Sequence, residues 1–83
     1  MPTTDRGILD EIDKLVDEEH ALYRRSEEHG GLEPEERERL QQLKVQLDQC
    51  WDLLDQRRAL RDAGRNPGAA RVRDEKTVEN YLQ

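Results

Sequence analysis

The sequence predicts an all-α fold: an antiparallel hairpin of two long helices followed by a C-terminal tail or short helix, dimerising into a helical bundle. Three observations carry this. Apolar residues recur at three- and four-residue spacings along two separate stretches. Two glycines and a proline divide those stretches. No segment alternates with the two-residue period of a strand.

The first helix is predicted over about residues 5–29. Thr4 or Asp5 can cap it, and its acidic start suits the positive pole of the helix dipole. Its apolar positions, Ile8, Leu9, Ile12, Leu15, Val16, Leu22 and Tyr23, form one helical face. Gly30 and Gly31 end it, because glycine takes the left-handed conformation of a C-terminal cap. After a turn at 30–33, the second helix spans about 34–63. Pro34 fits a first helical position, and the stripe Leu40, Leu43, Leu47, Cys50, Leu54 keeps a coiled-coil spacing that continues into Arg57 and Arg61. Gly64 and Asn66-Pro67-Gly68 stop it. Residues 64–83 form the tail. Residues 74–82 read either as a short helix with Val78, Tyr81 and Leu82 on one side, or as a segment extended across the hairpin.

A short turn makes the helices antiparallel neighbours, so facing residues have numbers summing to about 62 or 63. Leu22 and Tyr23 then meet Leu40, Leu15 and Val16 meet Leu47, Ile12 meets Cys50 and Trp51, and Ile8 and Leu9 meet Leu54. Glu19 interrupts the stripe of the first helix; it reads either as a partly exposed residue whose stem covers apolar surface or, since a lone buried carboxylate is costly, as a buried one paired with Lys44 or with an arginine of a second chain. The apolar face of the first helix is wider than one partner helix covers, and Trp51, Leu53 and Leu60 flank the seam of the second. The expected remedy is a homo-oligomer, most simply a two-fold dimer, with an unidentified protein partner or a monomer covered by its own tail as the alternatives. The candidate interface comprises Ile8, Leu9, Ile12, Leu15, Val16, Glu19, Leu22, Tyr23, Trp51 and Leu53.

Composition points the same way. The chain has 83 residues, 41% of them charged and 33% hydrophobic, with no Phe and a single Cys. That is one small domain with a thin core and no internal disulfide to brace it, a size at which oligomerisation commonly supplies the missing stability. No apolar run resembles a signal peptide or a membrane span, so a cytoplasmic protein without a membrane partner is expected. The net charge of −6 is unevenly placed. Residues 1–56 carry seven basic and sixteen acidic side chains, whereas residues 57–73 carry six arginines against Asp62 alone.

Three elements, DEEH at 17–20, LDQCWDLLDQRRA at 47–59 and VENYLQ at 78–83, together resemble a family of small, chiefly actinobacterial proteins classed as a domain of unknown function. The resemblance spans essentially the whole chain. It implies a free-standing small protein and brings no activity, substrate or cofactor with it.

The chemistry-bearing residues are few. Asp17 and His20 have an acid-x-x-His spacing of the kind used in di-metal helical bundles, but residues 41–46 opposite offer one cation and no carboxylate. They are weak metal candidates, and the expected cofactor complement is none. Cys50 lies on the leucine seam with Asp48 and Asp52 nearby, a setting that raises a thiol pKa instead of activating it. Trp51 is expected to be a large core or interface residue. Arg57, Arg58, Arg61, Arg65, Arg71 and Arg73 form a basic patch. Its structural role would be to pair with Asp5, Asp10 and Asp13 and with an acidic tail folded back over it. Its functional alternative is an RNA, ribosome or phosphate site, weakened by the absence of interleaved aromatics. No phosphate loop, nucleophile elbow or zinc spacing is present. The sequence therefore reads as a non-catalytic helical interaction or regulatory protein, with the arginine site and the di-metal bundle as alternatives.

Overall fold

The computed structural model describes residues 4–82, and the side chains of 79–82 lie outside what it describes. The expectations for Tyr81, Leu82, Glu79 and the terminal carboxylate fall on those undescribed groups. The fold is all-helical, as the periodicity predicts: α1 (Asp5–His29), α2 (Pro34–Asp62), one 3-10 turn (Pro67–Ala69) and α3 (Glu75–Leu82).

Local chemistry sets the helix ends. Thr4 is extended, and its hydroxyl oxygen accepts the Gly7 N–H at 3.0 Å, satisfying one of the free amides of the first turn. Gly30 closes α1 at φ 75°, and the Gly31 N–H returns to the Ser26 carbonyl at 2.9 Å. At the start of α2 the Glu36 carboxylate accepts the Glu33 N–H at 3.0 Å, and Pro34 follows directly. Arg25 near the end of α1 lies 2.9 Å from the other Glu36 oxygen, so one carboxylate ties the cap to the turn.

The core is the seam between α1 and α2. Ile8, Ile12, Leu15 and Leu22 meet Leu43, Cys50 and Leu53, with Val16, Leu32, Leu40, Leu47 and Leu54 packed around them. Two expectations need correction. Cys50 is fully buried, but Trp51 is 48% exposed. Consecutive helical residues point about 100° apart, so both could not enter the layer with Ile12. Leu53, expected to flank an open seam, is 4% exposed.

The tail accounts for Leu53. After Gly64 the chain turns through the 3-10 segment, runs extended from 70 to 74 and re-enters helix at Glu75. Among the described residues it packs on α2 and not on α1. Ala70 joins the core cluster, and Val78 is fully buried. Helix α2 is therefore covered from two sides, by α1 and by the tail. The molecule is a plank of 51 × 25 × 17 Å. A face of α1 and α2 stays uncovered, since Leu9, Tyr23 and Trp51 remain exposed.

Candidate functional site

The arginine-rich end is the first candidate. The Arg57 Nε donates to Asp5 Oδ1 at 2.5 Å, and Arg61 Nη1 lies 2.9 Å from Asp5 Oδ2. These hydrogen bonds, from Arg57 first and Arg61 second, hold the Asp5 carboxyl below its usual range. The pairing lies where antiparallel counting puts it, since the two chain positions sum to 62. Asp10 and Asp13 are exposed and take no part in it.

The tail meets the other arginines differently from the expected acidic flap. Asp74 accepts the Thr77 N–H at 2.8 Å and caps α3; the Thr77 side chain first, and this backbone bond second, lower its pKa. The tail's own arginines reach inward instead. Arg71 Nη1 donates to the carbonyls of Gly68 and Ala70, both at 2.8 Å, and Arg73 Nε lies 3.3 Å from Asp52 Oδ2. Arg57, Arg61, Arg71 and Arg73 are thus engaged within the chain. Arg58 and Arg65 are exposed. Arg65 edges a shallow groove of about 370 Å³ formed by Gln56, Leu60, Ala63, Ala69 and Arg73.

A polar latch under this end escaped the sequence reading. Asp52 is 2% exposed. Its Oδ2 accepts Gln56 Nε2 at 2.8 Å. Gln56 then grips the backbone of Arg71 twice, its amide N–H donating to the carbonyl at 2.7 Å and its Oε1 accepting the N–H at 3.1 Å. Gln49 Nε2 adds a bond to the Arg73 carbonyl at 3.0 Å. The available signal was a row, Gln49, Asp52, Leu53 and Gln56, on the side of α2 away from the leucine stripe.

The metal and thiol candidates are placed plainly. Asp17 and His20 are exposed, and no group of three or more His, Cys, Asp or Glu side chains converges among the described residues. Cys50 is buried in the seam. Burial, and then the Glu11 carboxylate, pushes its thiol pKa up. The direction is the expected one, but its causes are burial and Glu11, not Asp48 and Asp52. Asp52 instead faces the tail.

The open face is the remaining candidate. Of the apolar interface candidates, Ile8, Ile12, Leu15, Leu22 and Leu53 are taken up inside the chain. Leu9 at 45%, Tyr23 at 42% and Trp51 at 48% retain large exposed surfaces, and Val16 is half-buried. Leu9, Val16 and Tyr23 recur at intervals of seven, each one residue after a seam position. Trp51 stands in the same relation to Cys50. In an antiparallel pair, positions following the seam on both helices share one side. The opposite side is marked by the double hydrogen bond of Arg39 to Glu18, its Nη2–Oε1 arm 2.8 Å long. That ion pair, and not Glu19 with Lys44, bridges the helices there. Glu19 is half-buried, and Lys44 is exposed on the Trp51 side.

Among the described residues, no helix is long and apolar enough to cross a membrane. A family model described as "Protein of unknown function (DUF2630)" matches residues 4–83. The chain is 51% identical over 79 residues to the uncharacterized protein Rv0898c of Mycobacterium tuberculosis, covering 94% of this chain and 90% of that protein. The same figures hold for the uncharacterized protein Mb0922c of Mycobacterium bovis. No solved structure matches.

Proposed function

The chain belongs to the DUF2630 family of proteins of unknown function, and from that premise we propose that it is a non-catalytic, self-associating helical protein. Its working surface is the row Leu9, Val16, Tyr23 together with Trp51. The observation that carries this reading is the exposure of Leu9, Tyr23 and Trp51, each above 40%, on one side of the hairpin. Fully burying one large apolar side chain contributes about 1.5–3 kcal/mol. Of the four large exposed hydrophobic side chains among the described residues, three lie on this side, the fourth being Val72 of the tail, and a second copy carries the matching ridge. Two-fold pairing of such faces is the commonest closed arrangement.

Sedimentation equilibrium tests it. The protein is expected to be a dimer at micromolar concentration. Leu9→Ser with Trp51→Ser should return it to a monomer while the circular-dichroism signature of helix persists. A folded wild-type monomer at those concentrations refutes the proposal.

A further inference from the structure

The charges around the open face specify how two copies meet. Arg37, Lys44 and Arg58 lie in line with Trp51 at seven-residue steps along α2, and all are exposed. One turn outward from Leu9, Val16 and Tyr23 on α1 stand Asp13, His20 and Glu27, with Arg6 at the head of the same row, all exposed. The face therefore has an apolar centre, a basic edge on α2 and an edge on α1 that is basic at Arg6 and acidic at Asp13 and Glu27. Asp48 and Asp55 stand one row beyond the basic edge.

Two closed ways of stacking such faces exist. A two-fold axis perpendicular to the helices lays α2 on α2 and brings the basic edges together, which opposes association. A two-fold axis parallel to the helices lays α1 of one copy over α2 of the other and sets Asp13 and Glu27 beside the basic edge. Resting on self-association through this face, we infer that the partner is a second copy of this chain related by an axis parallel to the helices, with Trp51 seated on the partner's Leu9 and Arg37 paired with the partner's Glu27.

The register follows from the hairpin itself. The Asp5–Arg57 and Arg25–Glu36 pairs put residues whose numbers sum to 62 or 61 at one height. An axis along the helices preserves height. Trp51 is then level with position 11, and Arg37 with position 25. Each lies two residues, about 3 Å along the axis, from its assigned partner. A second observation supports the Arg37–Glu27 pair. Glu27 stands in the last turn of α1 and Arg37 in the first turn of α2, each at the helix pole that disfavours its charge. An opposite charge across the interface compensates both.

The test combines crosslinking with sedimentation. In a Cys50→Ser background, chains carrying Glu27→Cys are mixed with chains carrying Arg37→Cys, refolded together and oxidised. A 27–37 disulfide between the two kinds of chain is the expected product. Dimers that form without that crosslink overturn the arrangement and leave self-association standing, whereas folded monomers overturn both. Without cysteines, Arg37→Glu and Glu27→Arg should each weaken dimerisation at least about tenfold, and the double exchange should restore it. Single variants that dimerise like wild type refute the pairing.

Discussion

At the scale of single residues, burial governs reactivity more than neighbouring charge. Cys50 sits in the seam with no exposed surface, and desolvation disfavours its thiolate. Its reaction with a maleimide at pH 7 should therefore be at least about a hundredfold slower in the native protein than in denaturant. Labelling at comparable rates would mean that the seam opens readily. The Asp52 carboxylate is also buried but keeps a hydrogen bond from Gln56 and an ion pair with Arg73, as a buried charge requires. The seam residue Cys50 was legible from spacing. Asp52 was not, because nothing local distinguishes a carboxylate bound for solvent from one that a distant segment will cover.

At the scale of elements, α2 is the organising piece. One side receives α1 and another receives the tail, so its apolar residues do not gather on a single stripe. The tail is fastened by a side chain, since Gln56 makes both hydrogen bonds that a neighbouring strand would make to Arg71. Gln56→Ala should remove this grip and leave Asp52 short of a donor. The expected cost is about 1–3 kcal/mol in urea unfolding, with faster proteolysis between residues 64 and 74 while α1 and α2 keep their protection from hydrogen exchange. Unchanged proteolysis would show that Val78 and Ala70 hold the tail without the latch.

The two long helices were legible because their punctuation is local. Thr4, Gly30 and Pro34 act through backbone geometry within a few residues. For residues 74–82 the sequence leaves helix and extended chain open, and the structure makes Glu75–Leu82 a helix. The tail's path depends on contacts with α2 across 15 to 24 residues of sequence, which periodicity does not report.

At the scale of the whole molecule, the ends of the hairpin are pinned by ion pairs at Asp5 and at Glu36. Asp5 has a lowered pKa in the folded chain, so its contribution to stability is present above the unfolded carboxylate value, about 3.9. It is lost as pH falls through the lower folded value. Asp5→Asn should melt below wild type at pH 7, and the gap should close as pH falls below about 3.9. Added salt should narrow it too, because Asp5 is well exposed to solvent. A gap independent of pH between 7 and 3 would rule out this role for the Asp5–Arg57–Arg61 cluster.

The amino-acid order was sufficient for the helices, their ends, the antiparallel register and the pairing of Asp5 with Arg57, because each depends on helical period and chain reversal. It was not sufficient for the fate of residues beside the seam. Leu53 and Trp51 look alike in sequence, two apolar residues flanking the leucine stripe. The tail packs on one side of α2 and covers Leu53, leaving Trp51 on the open face. That choice of side arises from packing between distant segments, and it is what leaves Leu9, Tyr23 and Trp51 exposed together.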